Sequence, residues 1–78
     1  MDLRGFNVTI PVEVGDIIKA DGYINRYEIL DIIIVYSTVK REVKVYLSLK
    51  DIDHNYNLKF EYSDYKWEII TENTKRNN

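Results

Sequence analysis

The chain has 78 residues, enough for one domain with a single small core. Its 11 basic and 13 acidic residues give a formal charge of −2, and hydrophobic residues make up 45% of the chain. These values argue against an unfolded, collagen-like or membrane-embedded protein. The chain contains no cysteine, which excludes disulfides, thiolate metal sites and redox pairs.

The composition also predicts an origin and a location. Isoleucine, asparagine, lysine and tyrosine are abundant, whereas alanine, glycine and proline are scarce, which is typical of AT-rich genes in low-GC bacteria and their viruses. The first residues do not combine a basic start with an apolar run, so we expect no signal peptide. No segment approaches the roughly 18 apolar residues of a membrane span. We therefore expect a cytoplasmic protein that does not bind membranes.

Apolar and polar residues alternate along most of the chain, and this period of two predicts β-strands. The first apolar series is Phe6, Val8, Ile10 and Val12. Pro11 interrupts it and cannot donate to a ladder, which predicts the margin of a sheet. Gly15 and Asp16 predict a turn, residues 17–21 a short second strand, and Asp21-Gly22 the turn after it.

The longest predicted strand covers residues 26–39, and its alternation changes phase part-way along. Tyr27 and Ile29 share one face. The later members of that face are Ile32, Ile34 and Tyr36. They reach it only if a β-bulge inserts one extra residue near Leu30 and Asp31, and such a bulge also bends the strand.

The second half of the chain predicts two or three further strands. Residues 38–41 form a polar hairpin connection, and the inward residues of the regular strand after it are Val43, Val45, Leu47 and Leu49. A turn rich in Asp and Asn covers residues 51–55. The last inward faces carry Leu58, Phe60 and Tyr62, and then Trp67 and Ile69. We expect one β-domain over residues 1–71 and a disordered polar tail over residues 72–78.

Five or six short strands, tight turns and one bent strand predict an all-β fold, a small antiparallel barrel. The segments that carry a resemblance are Val14-Gly15-Asp16-Ile17-Ile18 before Gly22-Tyr23, a tight hairpin at 39–42, and Trp67-Glu68-Ile69-Ile70. Over residues 12–71 they resemble an SH3-like barrel of the Tudor or KOW kind. The resemblance implies a five- to six-stranded SH3-like barrel with a bent long strand, and it carries over no site residue. An oligonucleotide-binding barrel would need a helix for which the chain has no room.

The sequence lacks the residue sets that catalysis and metal binding require. His54 is the single histidine, and the serines lie in predicted strands or turns rather than in a nucleophile motif. Asp51 and Asp53 begin like a calcium loop, but Tyr56 occupies the position that requires glycine, and Tyr62 the position of the bidentate Glu. We therefore expect a protein that is not an enzyme and that binds no metal or cofactor.

Outward aliphatic residues and loop tyrosines predict a surface for a protein partner. The residues concerned are Ile33, Val35 and Ile70 on strands, and Tyr23, Tyr56 and Tyr65 in loops. A second copy of this chain is one such partner, which would give a homodimer. Alternatively, the bent strand buries both of its faces, and Ile33 and Val35 belong to the core.

A different surface predicts an alternative partner, nucleic acid. Lysines with an interleaved tyrosine resemble a platform for single strands, on which bases stack while ammonium groups meet phosphates. The residues are Lys44, Tyr46, Lys50, Lys59 and Lys66. Glu61 and Glu68 share the predicted face, and the whole domain is acidic, which argues against this alternative.

Together these patterns predict a small non-enzymatic binding protein, a product of a virus or mobile element. We expect it to bind a host protein through the aliphatic and Tyr-rich surface, as an inhibitor or another kind of modulator. The nucleic-acid-binding barrel is the second hypothesis.

Overall fold

The computed structural model describes the backbone of residues 2–3 and 8–71 and the side chains of residues 10–70. These residues are all-β apart from one short 3₁₀ helix, Tyr62–Asp64. The strands are β1 (Asp2–Leu3), β2 (Val8–Thr9), β3 (Ile17–Ala20), β4 (Tyr27–Ser37), β5 (Glu42–Asp51), β6 (Tyr56–Glu61) and β7 (Trp67–Thr71). The predicted position of Phe6 and the predicted tail 72–78 lie outside the described residues.

Five of the strands form one antiparallel sheet in the order β6-β5-β4-β3-β7, while β1 and β2 pair with each other. The predicted all-β antiparallel fold is confirmed. The ladder is not closed, because β6 and β7 are its two edges and share no pairing among the described residues. The edges approach through side chains instead, since the ring centroids of Phe60 on β6 and Trp67 on β7 lie 6.0 Å apart.

Strand β4 contains the bulge that the change of phase predicts. Its register with β5 skips Leu30, the extra residue between Ile29 and Asp31. Directly after the bulge, the amide of Ile32 donates to Asp31 Oδ1 at 2.9 Å. Ile29 before the bulge and Ile32 after it both pack on the core, as the sequence predicts.

The core lies on the inner face of the sheet and includes residues from before β3. Its buried members are Ile10, Val12, Ile18, Tyr27, Ile29, Leu47 and Leu49. Full burial of one such aliphatic side chain contributes about 1.5–3 kcal/mol. Of the other predicted inward residues, six pack against this cluster while remaining partly exposed, namely Val45, Leu58, Phe60, Tyr62, Trp67 and Ile69. Ile34, Tyr36 and Val43 were also predicted to face inward, but they lie on the hairpin beyond this cluster, and Tyr36 is 44% exposed.

The far half of the β4–β5 hairpin extends beyond the rest of the sheet. β3 pairs only with Tyr27 and Glu28 of β4, and β6 pairs only with residues 46–51 of β5. Residues 34–45, which we call the arm, therefore form a ribbon of two strands in the described structure. A ribbon of two strands is marginally stable on its own.

The connections follow the predicted turns closely. The β4–β5 connection covers residues 38–41 and ends on Arg41 with a φ of 53°. After β3, Gly22 adopts a φ of 87°, which explains glycine at this position because side chains disfavour it. The 3₁₀ helix Tyr62–Asp64 lies in the connection between β6 and β7. Within the described residues, no helix is long and apolar enough to span a bilayer.

Candidate functional site

An aromatic pocket opens where the two edges of the sheet approach each other. Its volume is about 180 Å³, and aromatic side chains form all of its lining except Ala20. The aromatic members are Tyr23, Tyr27, Phe60, Tyr65 and Trp67. They come from the start of β4, from β6, from the start of β7 and from two loops, so the pocket forms only when the chain folds.

The rings of the pocket meet mostly edge to face, the arrangement that aromatic quadrupoles favour. Tyr65 lies at the centre, with its centroid 5.3 Å from Phe60, 5.4 Å from Trp67 and 5.6 Å from Tyr23. Tyr27 forms the floor, 6.1 Å from Phe60 and 6.5 Å from Trp67. Rings at steep angles to one another cannot stack closely, and the pocket lies between them.

Local pairing explains why space remains at this point. Trp67 pairs with Ala20 across β7 and β3, so the largest side chain of the chain faces one of the smallest. The indole Nε1 of Trp67 donates to the carbonyl oxygen of Tyr62 at 2.8 Å. This bond ties the ring to the 3₁₀ helix that precedes β7, and it fixes one wall of the pocket.

The pocket has a neutral lining. None of its lining residues is acidic or basic. Burial raises the pKa of Tyr27, and the negative charge of Asp51 raises it further. The Tyr27 hydroxyl therefore stays protonated at neutral pH, and the walls carry no formal charge.

A buried carboxylate, Asp51, organises the loops beside the pocket. Asp51 is 0% exposed, and it pairs with Tyr27 in the ladder between β5 and β4. Oδ1 accepts hydrogen bonds from the backbone amides of Asp53 and His54, at 3.0 and 2.9 Å, and lies 3.1 Å from His54 Nδ1. Oδ2 accepts one from Asn25 Nδ2 at 3.1 Å.

These hydrogen bonds determine the charge state of Asp51. Burial by itself favours the neutral acid, but the bonds from Asn25 and His54 outweigh it and hold the pKa of Asp51 below its ordinary value. The carboxylate is ionised at neutral pH, and both of its oxygens accept hydrogen bonds from donors within the chain. The calcium-like start of the 51–55 turn therefore serves to hold the turn in place.

An ion pair joins the same two loops at the surface. Arg26 Nη2 lies 2.6 Å from Asp53 Oδ1, and Nε lies 3.3 Å from Oδ2. The hydrogen bonds to Asp53 raise the pKa of Arg26 and lower the pKa of Asp53. The amide of Ile52 also donates to the Arg26 carbonyl at 3.1 Å. The loop that carries Tyr23 is therefore fixed to the β5–β6 turn.

The structure brings together two of the three predicted loop tyrosines. Tyr23 and Tyr65 are in ring contact in the wall of the pocket. Tyr56 lies elsewhere, next to His54 with 6.3 Å between the ring centroids. Only two of the three therefore contribute to one site.

The predicted aliphatic residues do not form one patch with the tyrosines. Ile33 pairs with Tyr46 and Val35 with Lys44, which places both on the outer face of the hairpin. Ile70 lies on β7 at the opposite edge of the sheet, where it borders a shallow depression with Ile24. Strand β3 separates these two places in the sheet order.

The predicted lysine and tyrosine platform is partly assembled. Lys44, Tyr46, Lys50 and Lys59 share the outer face of β5 and β6 by their alternation and pairing. Lys59 Nζ lies 5.4 Å from the centroid of the Tyr46 ring. Lys66 is not on these strands. Its carbonyl accepts a bond from the Asp21 amide, beside the aromatic pocket.

Sequence reasoning missed three pocket residues and the buried carboxylate. Tyr27, Phe60 and Trp67 were predicted to face the core, and they do, but they also line the pocket. Asp51 was predicted only as part of the turn over residues 51–55. A signal was present in the sequence, because an Asp at the start of a turn often accepts hydrogen bonds from the backbone amides that follow it. In the structure these are the amides two and three residues later.

The described part of the chain contains no cluster of side chains that could ligate a metal. No group of three or more His, Cys, Asp or Glu side chains converges among these residues. Asp51 is used by its own turn and Asp53 by Arg26.

Comparisons with known proteins found no relative: no protein-family model, curated protein or solved structure matches this chain. What the site does must therefore follow from its geometry.

Proposed function

We propose that this chain is a non-enzymatic binding protein that takes one side chain of a partner protein into the aromatic pocket. The observation that carries the proposal is the preformed set of five aromatic walls around about 180 Å³. Such a pocket needs little rearrangement to bind, because hydrogen bonds already fix the Trp67 ring and the two neighbouring loops.

The size and polarity of the pocket select its guest. Cavities of about 150 Å³ with apolar walls hold a benzene molecule. An apolar or aromatic side chain therefore fits, and aromatic faces also attract a cation. An anionic guest is disfavoured, because the faces of aromatic rings carry partial negative charge.

The fold proposed for this binding protein is the SH3-like barrel of the sequence resemblance. Strands β3 to β6 form a meander of successive neighbours, and β7 returns beside β3 after a 3₁₀ helix. This order, together with the approach of Phe60 and Trp67 across the open edges, supports the proposal.

The single tryptophan, Trp67, gives a direct assay because it forms part of the pocket wall. Capped tripeptides with Phe, Leu, Lys or Glu at the centre are titrated while tryptophan fluorescence is recorded. We expect the Phe and Leu peptides, or the Lys peptide, to give saturable changes, and the Glu peptide to give none.

Two tyrosines form a matched pair of variants. Tyr23 is 55% exposed and lines the pocket, whereas Tyr56 is 51% exposed and does not. We expect Tyr23→Ala to abolish the fluorescence change and Tyr56→Ala to leave it intact, with both proteins folded by circular dichroism. Equal responses of the two variants, or a flat titration with every peptide, would contradict the proposal.

The biological part of the proposal rests on the composition. The AT-rich residue usage supports a viral or mobile-element product that modulates a host protein in the cytoplasm. Expression of the wild type and of Tyr23→Ala in a low-GC bacterium tests it. We expect a growth effect that depends on Tyr23.

Nucleic acid is the second candidate partner, since Lys44, Lys50 and Lys59 share one face with Tyr46. Two observations argue against nucleic acid. Glu61 pairs with Tyr46 on that face, and the Lys59 ammonium group already lies over the Tyr46 ring. Single-stranded DNA binding by this face should fall steeply with salt, because phosphate contacts release counterions. It should also be lost in Lys59→Glu and kept in Lys66→Glu, and any other pattern removes this candidate.

A further inference from the structure

The floor of the aromatic pocket carries a hydroxyl group that the described chain does not use. Tyr27 is 9% exposed, which makes it the most buried aromatic residue of the lining. No described residue forms a hydrogen bond with its hydroxyl. The Trp67 indole in the same lining differs, because its N–H donates to the Tyr62 carbonyl. Buried tyrosine hydroxyls usually have a partner, so this one requires an explanation.

The pocket is the open space that this hydroxyl meets. Among the described residues, every fully enclosed side-chain oxygen or nitrogen has a hydrogen-bond partner. The Tyr27 hydroxyl has none, so it is not fully enclosed and must reach a cavity or the solvent. Little of Tyr27 is exposed, and it lines the aromatic pocket. Water satisfies a hydroxyl in such a position, whereas an apolar guest that displaces the water leaves it unpaired.

The charges around this hydroxyl favour a neutral polar group on the guest. Burial and the charge of Asp51 keep the pKa of Tyr27 raised, so the hydroxyl stays protonated and can either donate or accept. No lining residue is charged, and Asp51 is 0% exposed with both oxygens already accepting hydrogen bonds. A charged tip of either sign would therefore lose water without gaining a counter-charge.

We propose that Tyr27 determines the specificity of the pocket, by forming a hydrogen bond with the hydroxyl of a tyrosine side chain of the partner protein. This proposal rests on the function proposed above and names its guest. A phenol has the aromatic body that suits the five aromatic walls. The volume of about 180 Å³ exceeds the roughly 150 Å³ that hold benzene, which leaves room for the added oxygen. A phenylalanine guest fills the same walls but leaves the Tyr27 hydroxyl unpaired.

Two peptides and one variant test the role of Tyr27. Capped tripeptides with Tyr or Phe at the centre are titrated while the fluorescence of Trp67 is recorded, with excitation where tyrosine does not absorb. We expect the wild type to bind the Tyr peptide about tenfold more tightly, the size of effect that follows when a buried hydroxyl gains or lacks a partner.

Tyr27→Phe should reverse this preference. The variant keeps the ring that contacts Phe60 and Trp67, and it loses no hydrogen bond of the described chain, so it should remain folded by circular dichroism. The Tyr peptide should bind more weakly than to the wild type, because its own hydroxyl then lacks a partner. The Phe peptide should bind more tightly, because no hydroxyl of the floor is left unpaired.

Tyr56→Phe is the matched control, since it removes the same atom from a tyrosine outside the lining and should keep the preference of the wild type. Equal affinities of the wild type for the two peptides, or a preference for Tyr that persists in Tyr27→Phe, would overturn the role of Tyr27 and leave the pocket as a binding site. A Lys peptide that binds more tightly than the Tyr peptide would also overturn it. If no peptide binds, the proposed function fails as well.

Discussion

The two ends of the β4–β5 hairpin differ in how far neighbouring residues cover their polar groups and apolar faces. At the pocket end, every polar group of Asp51 has a donor, and five aromatic rings hold one another in place. At the arm end, two strands carry apolar residues on both faces, Ile34 and Val45 inward and Val35 outward, with no third strand among the described residues. Among the described residues, strands on both sides cover the pocket end, whereas the arm has only its own two strands.

The difference shows that a small sheet can divide its tasks along a single hairpin. The pocket end has contacts from β3, β6 and β7, which make it rigid enough to preform a site. Among the described residues the arm has one ladder, and a ribbon of two strands is marginally stable on its own.

The largest contrast is expected from the same substitution made at each end. Ile29→Ala truncates a side chain that is 0% exposed and should lower the free energy of unfolding by about 2–5 kcal/mol. This loss is comparable to the whole stability of a domain of this size, roughly 3–5 kcal/mol. Ile34→Ala in the arm should cost less than about 2 kcal/mol, because its site is half-open. Urea unfolding at low protein concentration measures both. Equal costs would mean that the arm is packed like the core.

A second prediction concerns acid. Because the pKa of Asp51 is lowered in the folded state, the carboxylate stabilises the fold above the unfolded pKa of about 3.9. That stability is lost as the pH falls through the lower folded pKa. We expect Asp51→Asn to be less stable than the wild type at pH 7 and the difference to shrink below about pH 4. Melting temperatures across this range measure it.

Asp53→Asn is the matched control for the acid prediction. The pKa of Asp53 is also lowered, first by its hydrogen bond with Arg26, but the pair is exposed and solvent screens it. Its pH dependence should have the same sign and a smaller size. A larger effect at Asp53 than at Asp51 would assign loop closure to the surface ion pair.

The smallest effect is expected at the tip of the arm. Arg41 adopts a left-handed backbone with a φ of 53°, which glycine adopts without strain. Arg41→Gly should raise the free energy of unfolding by about 0.5–1 kcal/mol, while Arg41→Ala should bring no gain. Thermal unfolding of both variants separates backbone relief from loss of the charged side chain.

The sequence predicted the strands and the bulge well, because both follow from side-chain alternation. Ile29 and Ile32 cannot share a face without an inserted residue, and burial of that face then fixes the register. The turns at 38–41 and 51–55 were predictable from polar residues that form turns locally.

The pocket and the open ladder were not predictable in the same way. Alternation assigns Phe60 and Trp67 to the inner face, but it does not say which strands become the edges or how closely they approach. The burial of Asp51 depends on Asn25, which lies 26 residues earlier in the chain. Contacts of this kind between distant segments leave no periodic signal.

The bulge at Leu30 has a genetic consequence. Because β5 stays regular opposite it, loss of the single codon for Leu30 would preserve every pair of the hairpin, from Ile29 with Leu49 to Ser37 with Glu42. The mutant would keep its inner face and lose its bend. Natural variants that differ by one codon here would therefore differ in the direction of the hairpin tip while sharing the same interior.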